Sequence, residues 1–285
     1  MGSLPKNKRG SIESNHVYHN NSVRYLYLIK IIRNKHKFAV EGWNLGINAS
    51  SGDLVIIVGA HSVYPPDYVT KCVENSDKAE NVGGGYVRLP RDVSVLSRSF
   101  NVARDDIFGV GNSTFRQNAE TPMYVDTVFG GCYRREVFDK IGYFNEALHR
   151  SGDLEFNLRM KEAGLKTLYC PDIKSEYYAR TDFWSFVKHN FKDGMWSLLM
   201  MRKSKIKFGL RRLIPMAFVL TLPVSIWPYA VLCFIRSCQV AYKEKDLRLL
   251  VTMPVSFFSL HVSYGLGSIW AIPEYLGERG MVVYE

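Results

Sequence analysis

Apolar and polar positions divide the chain into short alternating segments followed by two long apolar ones. Residues 1–22 are polar, with Pro5, Gly10 and many Asn and Ser, and read as a loose leader. Residues 24–32 are rich in β-branched and aromatic side chains and predict a strand. Residues 38–47 set Ala39, Trp43, Leu45 and Ile47 among helix-compatible positions and predict a helix despite two glycines. Residues 54–58 form a continuous apolar run bounded by turn residues, the pattern of a strand buried on both faces. Pro65 and Pro66 suit the first turn of a helix. Residues 82–87 predict a strand whose glycines admit close backbone approach. Leu96, Phe100, Ala103 and Ile107 recur at helical spacing. This alternation predicts an α/β fold, a sheet flanked by helices, with ligands at the carboxyl ends of the strands.

Phe156, Met160 and Ala163 stand at i, i+4 and i+7 and predict a helix over 153–163, with Gly164 just past its end. Asp153 falls at the N-cap or first turn, where the helix dipole favours its charged form. Spacing alone leaves two roles for it, a cap or an acid used in chemistry. Residues 183–200 form an aromatic amphipathic segment in which His189, Lys192 and Trp196 share roughly one face. They read either as a diphosphate site, through Lys192 or His189, or as an interfacial helix with aromatic anchors. Residues 213–235 carry no charge, and 249–273 none apart from His261. Each is long enough to span a bilayer, the first kinked by Pro215, Pro223 and Pro228, and together they predict two spanning helices forming a hairpin. The second is rich in Gly, Ser and Pro, so a re-entrant or interfacial course is its alternative.

Composition narrows the class. The chain has 285 residues, enough for one large domain with a membrane segment, and 47% are hydrophobic, which excludes a disordered chain. The net charge of +10 is not one aromatic-laced stripe, so no nucleic-acid partner is expected. Basic residues gather at 6–9, 24–37 and 202–212. The last cluster precedes the first uncharged run, the placement of a cytoplasmic flank facing anionic lipid. Cys72, Cys132, Cys170, Cys233 and Cys238 form no C-x-x-C pair, which predicts reduced thiols.

The blocks Phe129-Gly130-Gly131-Cys132-Tyr133-Arg134-Arg135-Glu136-Val137-Phe138, Ile141-Gly142, Phe144-Asn145-Glu146 and Gly152-Asp153-Leu154-Glu155-Phe156 occur in that order. They resemble the second half of a family 2 glycosyltransferase, of the membrane-bound branch that builds exopolysaccharides such as succinoglycan. The resemblance covers about residues 24–200. It implies a GT-A fold and inverting transfer from a nucleotide-sugar donor to a lipid-linked or polysaccharide acceptor at the cytoplasmic face of the cell membrane. In that family an acidic pair opens this helix, and its Asp is the general base. Gly152-Asp153 replaces the pair here, so Asp153 is the expected base and Glu155 is expected to orient acceptor or base.

The resemblance also implies a divalent metal, Mg or Mn, bound by an acidic motif after the strand at 54–58. Gly59-Ala60-His61 stands there instead, and Gly59 has no ligating side chain. His61 is left as a metal or phosphate contact, or as a hydrogen-bonded structural residue. Arg134 and Arg135 read either as phosphate contacts or, for at least one of them, as a solvated helix-face charge, and Arg134 and Lys192 are the residues expected at the donor phosphates. Gly130 and Gly131 are expected to let backbone approach the acceptor sugar. The family's first, nucleotide-binding strands have no counterpart before residue 24, so the likeness is to a member lacking that portion. A catalytically inactive remnant serving as a membrane-bound subunit is the alternative. The expected division is a leader at 1–22, an incomplete GT-A-like domain at 23–204 and a membrane region at 205–285.

Overall fold

A computed structural model of the chain describes residues 11–14, 29–90, 94–110, 119–179, 182–204 and 209–277. Strands β1 (Ser11–Ser14) and β2 (Ile29–Ile32) pair antiparallel as a separate two-stranded sheet. The polar leader therefore supplies a strand instead of remaining wholly irregular. The expected strand at 24–32 is present over Ile29–Ile32, while 24–28 lie outside the described residues.

The main sheet has six strands. They are β3 (Leu54–Ile56), β4 (Ser62–Val63), β5 (Asn81–Pro90), β6 (Met123–Tyr124), β7 (Phe129–Arg134) and β8 (Thr167–Ala179). Their spatial order is β3-β7-β5-β8-β4, with β6 beside β8. β5 and β8 are parallel, but β7 runs against both β3 and β5. Leu54 lies opposite Arg134 and Ile56 opposite Cys132, so the start of β7 meets the carboxyl end of β3. The sheet is thus mixed. Within it, Gly84 sits beneath an irregularity in β8, where a Cβ would overlap the Ile173 carbonyl. This is the close backbone approach that the glycine run predicts.

Helices cover both faces. On one, α1 (Ala39–Ala49) and α5 (Gly152–Glu162) enclose Val40, Ile47, Val55, Tyr133, Phe156 and Met160. On the other, α2 (Tyr68–Asn75) packs Tyr68 and Cys72 onto Val82, Cys132 and Ile173. Helix α3 (Val95–Asp105) starts at Ser94, whose hydroxyl accepts from the Ser97 amide. The short α4 (Glu136–Ile141) follows β7.

The long aromatic segment is helix α6 (Phe183–Lys203), capped by the Asp182 carboxylate. A 3-10 turn, α7 (Ile214–Leu220), α8 (Leu222–Glu244), α9 (Leu249–Trp270) and α10 (Ile272–Leu276) complete the chain's described elements. α8 and the α9–α10 stretch are long and apolar enough to cross a membrane by length and composition. α9 is also part of the domain core: Leu249, Met253, Phe257 and Leu260 pack with Phe100 of α3 and Phe186 of α6. Gly194 and Gly267 bring α6 and α9 into backbone contact at Tyr264 and Phe191. All five cysteines are free, as the spacing predicts.

Candidate active site

Asp153 lies in the first turn of α5, and its side chain is exposed. The helix begins one residue earlier, after Ser151, whose left-handed conformation (φ 60°) is uncommon outside glycine. Asp153 is therefore inside the helix and not the residue that caps it. Gly152 packs against Val40 of α1, and a Cβ there would come within 2.6 Å of a Val40 methyl. This contact explains physically why no larger side chain precedes Asp153.

One turn further into α5, Asn157 is buried and engaged through both its amide oxygen and its amide nitrogen. It accepts from the Tyr133 hydroxyl at 3.1 Å and the Asn81 amide at 3.2 Å, and donates to Thr127 Oγ1 at 2.9 Å. These bonds fix α5 to β5, β7 and the segment entering β7. Burial pushes the Tyr133 hydroxyl pKa up, and the nearby Asp153 charge adds to it. Glu155 is 3% exposed and points elsewhere. It accepts from Arg159 at 3.2 Å and from the Ser204 hydroxyl at 3.3 Å. Arg159 in turn donates to the Ile141 and Tyr143 carbonyls. Glu155 thus ties α5 to the loop after α4 and to the end of α6.

The amino end of α5 is held between α1 and α6. His149 stacks on Phe38 with ring centroids 3.6 Å apart, and its other neighbour is Trp196 of α6 at 5.1 Å. Burial, and secondarily Lys203, lowers the His149 pKa, so the stacked ring is favoured in its neutral form. Arg150 donates to Asp193 and lies 2.9 Å from His189. Asp193 also faces Arg104 of α3 at 3.7 Å and His189 at 3.4 Å. Burial alone would raise the Asp193 pKa, but His189, Arg150 and Arg104 together hold it below the usual carboxylate range. His189 is thus committed to an ion-pair cluster. Lys192 is its half-buried neighbour on the same helix.

At the carboxyl edge of β3, His61 is exposed and meets Tyr177 edge-on at 6.2 Å. Tyr177, Tyr86 and Phe129 form an aromatic cluster beside it. Gly130 has φ 60°, and its carbonyl accepts from the Tyr68 hydroxyl at 2.7 Å. Gly131 is buried, where a Cβ would collide with Asn81 and Tyr133. The requirement for glycine at 131 is therefore internal packing rather than an open approach for a sugar.

Arg134 stands at the opposite end of β7 from Phe129, because β7 is antiparallel to β3. Its Nε donates to the Ser76 carbonyl at 2.8 Å. The fold does not bring it to the His61 edge. Arg135 is likewise engaged by the end of α1 and the turn after it.

Among the described residues no three His, Cys, Asp or Glu side chains are grouped to hold a metal. Near His61, Gly59 offers only backbone, and its N–H donates to the Tyr64 hydroxyl. Asp67 is paired with Lys71 at 2.7 Å. This donor set does not fit a hard divalent cation, which prefers several oxygens.

Sequence reasoning missed Arg150, Asn157 and Asp193. Asp193 was in reach: it is four residues after His189 on one helix, the spacing at which side chains meet. The partners of Asn157 are 24, 30 and 76 residues away, so no local pattern marks it.

Comparison with known proteins agrees with this architecture. Residues 17–142 match the glycosyl transferase family 2. A glycosyltransferase of Methanococcus voltae, named dolichyl N-acetyl-alpha-D-glucosaminyl phosphate 3-beta-D-2,3-diacetamido-2,3-dideoxy-beta-D-glucuronosyltransferase, is 26% identical over 83% of this chain and 77% of its own. The succinoglycan biosynthesis protein ExoA of Rhizobium meliloti is 24% identical over 64% of this chain and 59% of its own. The solved mannosyltransferase PcManGT of Pyrobaculum calidifontis, in complex with GDP-Man and Mn2+, superposes with a TM-score of 0.52. It shares 15% identity over 86% of this chain and 70% of its own. Over residues 17–142 the chain is similar to the family 2 glycosyltransferases, and its fold is that of the GT-A enzymes.

Proposed function

We propose that the protein is an inverting glycosyltransferase that moves a sugar from a nucleotide donor to a lipid-linked saccharide at the cytoplasmic face of a membrane. The observation that carries this reading is the position of Asp153. It is an exposed carboxylate on the first turn of a helix that is anchored one turn on by Asn157 and braced by α1 and α6. The helix dipole favours its charged form, which a general base requires. In the reaction Asp153 takes the proton from the acceptor hydroxyl as that oxygen attacks the anomeric carbon. The sugar–phosphate bond breaks with its electron pair leaving on the diphosphate, and the anomeric centre inverts. Glu155 acts on this step through position, by fixing α5. Lys192, beside the Arg150–Asp193–His189 cluster, is the cation we place at the leaving diphosphate. His61 and its aromatic neighbours line the donor side. Among the described residues no donor set fits a hard divalent metal.

The names of the relatives support a lipid-linked or polysaccharide acceptor. Gly59, which offers no ligand where an acid is expected, favours the second reading, an inactive membrane-bound subunit. Transfer of labelled sugar from a panel of nucleotide-sugars into lipid extract, by membranes carrying this protein, separates the two. Incorporation with inverted anomeric configuration supports the enzyme, and none with any donor supports the subunit.

A further inference from the structure

We infer that α8 and α9 do not cross the bilayer, and that α7 and α8 lie in its surface, docking the enzyme on anionic lipid through one exposed apolar stripe. The inference rests on the membrane part of the proposed function and not on its chemistry. α9 is bound along its whole length to the catalytic domain. Near its start, Arg98 of α3 pairs with Glu244 at 2.7 Å and Asp246 at 3.1 Å, across the α8–α9 turn. Further along, Ser256 meets Ser99 at 2.7 Å and His261 meets the Phe108 carbonyl at 2.8 Å. Near its end, Ser268 donates to the Gly194 carbonyl at 3.1 Å. α8 is tied in the same way, by Arg236 forking onto Asp106 at 2.8 Å. A perpendicular hairpin would drag α3 and α6, with Arg98, Arg104, Asp106 and Asp193, to membrane depth. These charges are paired with one another, but they sit among catalytic-domain elements, and charged groups, even paired, are rare at membrane depth.

The outer side of the hairpin is built differently. Leu220, Val224, Trp227, Val231 and Phe234 recur at steps of three and four, and all are exposed, Val224 by 80% and Trp227 by 77%. No charged residue interrupts the chain between Arg212 and Arg236. Basic residues flank the stripe, Arg211 before it and Lys243, Lys245 and Arg248 after it, all exposed. An apolar helix face with cations at both ends matches the interfacial zone of a membrane with anionic headgroups. The occupant is therefore a lipid surface rather than a protein groove.

The full chain is tested on sealed vesicles of phosphatidylcholine with or without phosphatidylglycerol. Binding is expected to be several-fold stronger with the anionic lipid. Val224→Glu with Val231→Glu is expected to lower the bound fraction about tenfold, with an unchanged melting temperature showing that the domain is folded. On a Cys238→Ser background, Leu210→Cys before α7 and Leu247→Cys in the α8–α9 turn mark the two ends of the α7–α8 stretch, and an impermeant maleimide is expected to label both from the same side. Labelling from opposite sides, absence of binding to anionic vesicles, or full binding by the double Glu variant would each overturn the inference. None of these readouts requires sugar transfer, so a failed glycosyltransferase assay leaves the result distinct.

Discussion

The Tyr133 hydroxyl donates to the Asn157 amide oxygen at 3.1 Å, one helical turn from Asp153. This bond joins β7, antiparallel to both its neighbours, to the helix that carries the proposed base. Replacing Asn157 with Ala leaves Tyr133, Asn81 and Thr127 without their partner. The expected loss is about 1–3 kcal/mol of stability, the cost of buried polar groups left unpaired. Transfer should fall through kcat with KM little changed, because the base loses its bearing while the donor pocket remains. Denaturant melts and steady-state kinetics on the same preparation check both.

Gly152 and Val40 make a second test. Gly152→Ala places a Cβ against the Val40 methyl and should cost about 1–3 kcal/mol by overpacking. Val40→Ala in the same chain should recover part of that loss, since it removes the atoms in the way. A double-mutant cycle on thermal stability gives the coupling, and additive effects would contradict the contact.

Acid stability should report the Asp193 cluster. Its carboxyl is held below the usual range in the folded protein, so the stabilisation it contributes is present above the unfolded value of about 3.9. That stabilisation is lost as pH falls further, through the folded value. Melting temperatures measured from neutral pH to below 3 should fall steeply at the acid end for the wild type. Asp193→Asn should be less stable at neutral pH and show a shallower acid fall.

Helix α9 is expected to be inseparable from the domain. Gly194→Ala or Gly267→Ala would put a Cβ onto backbone of the facing helix. Neither neighbour is a side chain that can turn aside, so each should cost about 1–3 kcal/mol or more. Melting should remain one transition, with the α8–α9 hairpin and the sheet unfolding together.

Much of this architecture was legible in the chain's pattern, and the reasons for the rest are physical. The apolar run at 54–58, the glycines at 83–85 and the period of Phe156 and Met160 each specify a local conformation, and β3, β5 and α5 follow. Strand direction is not a local property. The reversal of β7 decides that Phe129 faces the His61 edge while Arg134 faces away, and nothing in the motif containing both residues reveals it. Glu155 looked like a second site acid from its spacing, but its burial against Arg159 and Ser204 depends on where α6 ends. Hydrophobicity marked α8 and α9 as membrane-compatible. It could not show that Arg98 and Asp106 clamp them to the domain.

Sugar transfer by Asp153→Asn, compared with the wild type in the same membranes, tests the central claim most directly. Asp153 is exposed, so the variant should fold, bind vesicles and melt like the parent. Loss of general-base assistance predicts a fall in transfer rate of roughly 10²–10⁴-fold. Equal incorporation of labelled sugar by the two proteins would remove Asp153 from the mechanism and contradict the account.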